Sequence, residues 1–314
     1  MNSIISAKVL STIVGGSKLA GKDWIYNFRK LYNYIDEVEN NKCISSLQKQ
    51  YANILKSYSK EKNSEWICRI YFSAKMILHT TLQLLSLTFS EDKNVRLVSS
   101  YLKYYALLSS SRALIMTLST IEWNDGKITE ISHSKIIKIT IDFVKNFDKE
   151  LSKRLENVFK ILKSHRELIT YRAPTIGSNI ISNHFQDNYL EDVGIEINEV
   201  IYLCTVLAEF AQLNSEIFEK SVLKHADDEN FELLDVYINQ LSIINVNDMN
   251  FFDKEDFYRL NYLKRKYPVP TNILHVMTEG LTEDFFGAWE ADEYEDELFT
   301  TGSPSNWGII FDIP

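Results

Sequence analysis

Tyr101-Leu-Lys-Tyr-Tyr-Ala-Leu-Leu-Ser-Ser-Ser-Arg-Ala-Leu-Ile115 is the stretch whose reading decides the fold class. Leu97, Tyr101, Tyr104, Tyr105, Leu108, Arg112, Ile115 and Leu118 fall at i, i+3, i+4 and i+7 spacings. That period places them on one face of a helix predicted from Leu97 to Thr120. Upstream, residues 65–89 repeat the pattern, with Trp66, Ile70, Ala74, Ile77, Leu78, Thr81, Leu82, Leu85 and Phe89 tracing one face before the polar break Ser90 to Asn94. Residues 22–60 read as a helix or helix pair. Downstream, Trp123-Asn-Asp-Gly126 is a turn, because Asp-Gly supplies positive φ at low cost. Residues 127–131 are expected as a short strand, and Ser134 as the N-cap of the longest helical pattern in the chain, running to about Ile169. Ala173-Pro174 ends it, since the residue before a proline disfavours helix. The irregular run from Pro174 to Gly194 reads as a loop or linker. Helices are then expected from Glu196 to His225 and from Asp253 to Lys266, and an edge strand at Gly308 to Phe311.

Composition agrees with an all-α chain. Among 314 residues there are 10 Gly and 5 Pro, well below average usages of roughly 7% and 5%. Few turn residues mean few, long elements. No run of about 18 apolar residues is present, so no membrane-spanning helix is predicted. The weakly apolar stretch Ile4 to Val14 lacks a charged flank and does not read as a signal peptide. Cys43, Cys68 and Cys204 are odd in number and far apart, which suits reduced, buried thiols and a cytoplasmic location. The formal net charge is −9. The nine acids between Glu279 and Thr300, with no base among them, account for all of it. The rest of the chain is neutral, so any nucleic-acid contact must use a local patch.

Chemistry-bearing side chains gather in Leu162-Lys-Ser-His-Arg-Glu-Leu-Ile-Thr-Tyr-Arg-Ala-Pro174, where His165, Arg166, Tyr171 and Arg172 crowd the end of an amphipathic segment. Arg166 follows Leu162 by four and precedes Ile169 by three; Arg112 follows Leu108 by four and Tyr105 by seven. Both arginines therefore lie on apolar faces. Two guanidiniums in one interface repel unless paired or bound to an anion. One reading has each snorkel or pair with a carboxylate such as Glu122, Asp142 or Glu167. The other is a shared phosphate pocket with Tyr104, Tyr105 and Tyr171 as walls.

The stretch Tyr101 to Ile115 resembles the Tyr-Tyr-Ala-rich helix with a later Arg-Ala-Leu of the HEPN superfamily. Arg166-Glu-Leu-Ile-Thr-Tyr171 is similar to that superfamily's Arg, four to six residues, then His. The likeness covers about residues 66–174, and the YaaC-like proteins show a similar length and paired-helix arrangement. The resemblance implies a helical bundle of a prokaryotic antiviral defence or toxin–antitoxin system, often a metal-independent ribonuclease with its site formed across a homodimer. Carried onto this chain, Arg166 is the phosphate-stabilising catalytic residue, with His165 or Tyr171 assisting and Arg112 and Arg172 binding phosphate. Tyr171 stands where the motif has His. A tyrosine titrating near 10 is a poor base, whereas a histidine near 6.5 suits proton transfer at neutral pH. His165, about 100° round the helix from Arg166, and His184 on the following loop are the available substitutes.

Other motifs are missing. There is no GxxxxGK[ST], GxGxxG, GxSxG or HExxH, and the six His and three Cys lack zinc spacing. No cofactor or metal is expected. Asp292 to Glu297 lacks the order of an EF-hand loop. The interleaved Phe285, Phe286, Trp289, Tyr294, Phe299 and Trp307 instead suggest a segment that packs on the body or docks a basic protein partner at 279–300. The expected organisation is a HEPN-like helical bundle over 1–175, followed by a second helical region over 195–314 with an acidic, aromatic C-terminal segment. The functional expectation is a protein that binds or cleaves RNA. The competing expectation is a non-catalytic scaffold, antitoxin or accessory subunit.

Overall fold

The computed structural model describes residues 17–19, 22–24, 26–31, 45–51, 54, 59–124, 126–175, 177, 195–225, 245–246, 249–250, 252–266, 271–290, 299–302 and 304–314. The fold is all-α, with two short antiparallel ribbons, β1 (Ser17–Leu19) with β2 (Lys22–Trp24) and β3 (Asn245–Val246) with β4 (Met249–Asn250). The main helices are α1 (Lys60–Asp92), α2 (Arg96–Met116), α3 (His133–Lys145), α4 (Lys149–Arg172) and α5 (Ile197–His225). Shorter ones follow: α6 (Lys254–Lys266), α7 (Ile273–Val276), α8 (Glu279–Gly287) and α9 (Pro304–Trp307).

Helix α2 is the hub: it packs against α1, α3, α4 and α5. Its sequence explains the close approach. Ala106, Ser110, Ser111 and Ala113 are fully buried, and such small side chains let helix axes draw together. Their hydroxyls are satisfied locally or across the interface. Ser111 Oγ donates to the Leu107 carbonyl, Ser110 Oγ to Thr80 Oγ1, and Ser73 Oγ of α1 to the Ala113 carbonyl. One hydrophobic cluster runs from Tyr26 to Phe311 and includes residues of α5, α7 and the C-terminus.

Capping chemistry sets the boundaries. Ser59 accepts from the Lys62 amide and starts α1. The single long pattern expected from Ser134 to Ile169 is two helices instead. Asp148 accepts from the Glu150 and Leu151 amides and begins α4, since a carboxylate at an N-cap satisfies orphan donors. Ser134 is therefore not a cap; it lies inside α3, and Ser132 holds the N-cap position. Residues 127–131 are no strand: Lys127–Glu130 forms a 3₁₀ turn, led in by Gly126 at φ 85° and Asn124 at φ 49°, and a lone short strand has no ladder to join. Gly308 to Phe311 is a bend rather than an edge strand, because Ile310 and Phe311 bury their side chains in the core. Helix α4 ends as expected, with Ala173 in the left-handed region at φ 38° before Pro174.

Cys68 and Cys204 are buried free thiols; Cys43 lies outside the described residues. So do His184 and most of the expected loop before Gly194. No described helix is long and apolar enough to cross a membrane. The described part of the acidic segment begins with α8, capped by Thr278, which accepts from the Leu281 amide.

Candidate functional site

The site forms where α2, α3 and α4 meet. Helix α2 presents Tyr104, Tyr105 and Arg112, α4 presents Arg166, and α3 begins with His133. The Arg166 guanidinium carbon stands 4.7 Å above the Tyr104 ring, a favourable cation–π placement. Its Nη1 donates weakly to Tyr105 Oη at 3.4 Å. Its Nη2 lies 3.6 Å from a carboxylate oxygen of the half-exposed Glu167. Its Nε is buried with no hydrogen-bond partner among the described residues. Arg112 is anchored differently, with Nη1 donating to the Thr129 carbonyl at 2.8 Å.

His133 completes the cluster. Its Nδ1 is 3.3 Å from Tyr104 Oη, and its ring meets those of Tyr104 and Tyr105 at 6.0 and 5.9 Å. Burial first, then Arg112 and Arg166, hold its pKa below the ordinary 6.5. Two cations that both disfavour the imidazolium keep this ring neutral at pH 7. Burial pushes the Tyr104 phenol up, with Arg166 pulling it back. No side chain caps α3, so the first amides of this 13-residue helix, at the positive end of its dipole, have no side-chain acceptor.

The residues anticipated in the sequence are placed unevenly. Arg112 and Arg166 come together with Tyr104 and Tyr105. Of the carboxylates proposed to pair with them, Glu167 approaches Arg166. The groups that act most strongly on Arg166 are Tyr105, Tyr104 and Glu167, not His165 or Tyr171. His165 is buried, and burial, then Lys103, push its pKa down to about 4. Tyr171 is 77% exposed, and Arg172 is exposed beside it. His133 was missed. Its place directly before a supposed cap hid it, and nothing local shows that the turn at Gly126 carries it back onto α2.

A second ionic region lies inside α5. Glu209 is fully buried and accepts from the backbone amides of Arg29, Lys30 and Leu31 at 2.7–3.1 Å. Burial raises it to about 7 against the pull of those donors. Glu219 accepts from Asn272 Nδ2 at 2.7 Å and is likewise raised by burial to about 7. Gln212 bridges the two elements: its Nε2 donates to Glu216 at 2.6 Å, and its Oε1 accepts from the Leu274 amide at 3.1 Å. His275 Nδ1 sits 3.4 Å from Glu219. Burial, then Lys266, push His275 down to about 4, so this contact is between a neutral ring and a carboxyl group, not an ion pair. Among the described residues no three His, Cys, Asp or Glu side chains are arranged to hold a metal ion.

Comparison of the chain with protein-family models, with curated proteins and with solved structures returns no match.

Proposed function

We propose that the chain is a HEPN-like protein of a defence or toxin system that binds a phosphate group of RNA between Arg112 and Arg166 and cleaves the adjacent bond without a metal. The observation that carries this reading is the buried, unpartnered Nε of Arg166 beside a neutral histidine and a second arginine. A guanidinium whose Nε lacks an acceptor and whose Nη1 is only weakly engaged has spare capacity for a phosphate oxygen. The uncapped start of α3 adds backbone donors of the same polarity.

In the cleavage step His133 is the base. In the tautomer whose Nδ1–H donates to Tyr104 Oη, Nε2 is open and accepts the proton of the ribose 2′-hydroxyl. The 2′ oxygen then forms its bond to phosphorus, and the bond from phosphorus to the 5′ oxygen breaks. The departing 5′ oxygen takes a proton from water. Arg112 and Arg166 stabilise the charge that builds on the phosphoryl oxygens. The products are a 2′,3′-cyclic phosphate and a 5′-hydroxyl end. This assigns the proton transfer to His133 in place of His165 or Tyr171. The HEPN likeness further suggests a homodimer in the cytoplasm.

The test is to incubate wild type, Arg166→Ala and His133→Ala with a mixed pool of cellular RNA in chelator and to sequence the ends. Wild type is expected to give cyclic-phosphate and 5′-hydroxyl ends, and each variant to lose about 100-fold or more. The wild-type rate should rise with pH through a value below 6.5, because the base must be neutral and its pKa is depressed. Equal cleavage by all three proteins overturns the site.

A second reading is favoured by the exposure of Tyr171 at the position where the superfamily motif has His. It makes the bundle a non-catalytic scaffold, antitoxin or accessory subunit. Phosphate-dependent RNA binding that is lost in Arg166→Ala, with no cleavage by wild type, selects it.

A further inference from the structure

A groove of about 710 Å³ runs between α3 and α4. Its rim carries six lysines, Lys138 and Lys145 from α3 and Lys149, Lys153, Lys160 and Lys163 from α4, against the acids Asp142 and Glu156. In a chain of net charge −9, this is a local excess of positive charge. Lys153 is engaged with Glu150 and Lys163 with Glu167. Lys138, Lys145, Lys149 and Lys160 hold no ion pair among the described residues. The floor is apolar, made of Ile137, Ile141 and Phe159.

The spacing sets the shape of the occupant. Residues 149, 153, 156, 160 and 163 form one stripe along α4, and 134, 137, 138, 141, 142 and 145 face it from α3. A stripe of about 14 residues is roughly 21 Å long at 1.5 Å per residue. The lining follows α4 for about four helical turns. Ile137 and Ile141, one turn apart, offer an apolar strip to the occupant's apolar face, and lysines on both rims meet acids on its flanks, which is how a groove takes an amphipathic helix. RNA fits this surface less well than it fits the arginine site. Unpaired bases bind by stacking on aromatic faces, and the groove's one aromatic, Phe159, is only 2% exposed.

We propose that the α3–α4 groove docks an acidic amphipathic helix of a partner protein. The lysines steer and orient it, and the floor holds its apolar stripe.

The experiment is fluorescence anisotropy on the full chain. The probe is a labelled, end-capped 18-residue peptide with leucines at i, i+3, i+4 and i+7 and glutamate and glutamine on the flanks. Saturable binding that weakens with salt is expected. Joint reversal by Lys138→Glu, Lys145→Glu and Lys160→Glu should weaken it at least about tenfold, with circular dichroism and Tm unchanged because all three lysines are exposed. Arg166→Ala should leave peptide affinity unchanged, which separates this surface from the RNA site. The proposal is overturned if a peptide of the same composition with scrambled leucines binds equally well, since the groove then reads charge alone. It is also overturned if no peptide binds while oligouridine binds wild type and not the lysine-reversed variant.

Discussion

Two charged regions of this molecule differ in what surrounds them. Around Glu209 and Glu219 the chain supplies the donors: three backbone amides for one, Asn272 for the other. The neighbouring Glu216 takes one bond from Gln212, and its Oε2 is buried with no hydrogen-bond partner among the described residues. Around Arg112 and Arg166 the acceptors run short. Arg112 has one carbonyl, and Arg166 has a tyrosine oxygen, an aromatic face and a solvated Glu167, with Nε unfilled. A buried polar group without a partner is costly; at Arg166 that gap lies beside a second arginine and a neutral histidine, an arrangement that suits an anion.

The largest expected effect tests the activity side. Arg166→Ala should reduce RNA cleavage about 100-fold while shifting stability by less than about 1 kcal/mol, because Arg166 is not fully desolvated. Parallel cleavage assays and urea unfolding check both halves. A large loss of stability would erase the contrast and make Arg166 a structural residue. On the other side, Glu209→Ala removes the acceptor for the amides of residues 29–31. It should destabilise by about 3 kcal/mol, read as a lower urea midpoint, and leave phosphate affinity unchanged.

The pH dependence sharpens the same contrast. Glu209 and Glu219 are raised from 4.5 to about 7, so the folded chain holds their protons more tightly than the unfolded chain. The stability they contribute is full below pH 4.5 and is lost as pH rises through 7. His165 and His275, pushed from 6.5 to about 4, act in the opposite sense: their contribution is present above 6.5 and lost as pH falls. Above 6.5 the histidines no longer titrate, so Tm should fall between pH 6.5 and 8. Glu219→Gln should flatten that slope in a calorimetric series; an unchanged slope would move the titration elsewhere. The smallest effect is expected of Tyr171→Phe and Arg172→Ala. Both side chains are exposed, so stability should change by no more than about 0.5 kcal/mol, and RNA affinity should be close to wild type in a filter-binding assay.

Much of this was readable in the chain. The period-3.6 apolar stripes marked α1, α2, α5 and α6, and their phase put Arg112 and Arg166 on apolar faces; they misread the start of the expected helix or helix pair over 22–60, where Lys22–Trp24 is strand β2 and residues 26–31 hold no α-helix, because β2 pairs with β1. The same phase, at 100° per residue, puts Tyr171 about 140° round from Arg166, so its outward position was also legible. Glu209, Gln212, Glu216 and Glu219 sit at helical spacing in an apolar run, a visible sign of a buried polar network that residue chemistry alone did not single out.

Local sequence determined what depends on neighbours in the chain: helix periods, the Asp-Gly turn, the stop at Ala173-Pro174, and the scarcity of Gly and Pro that favours long elements. Only tertiary structure decided what depends on distant contacts. The Asp148 cap split one apparent helix into α3 and α4 and so created the lysine-rimmed groove between them. The turn at Gly126 returned His133 to α2, where burial and two arginines from separate helices set its charge. Backbone period is written residue by residue; a pKa and a pocket are set by groups that only the folded chain brings together.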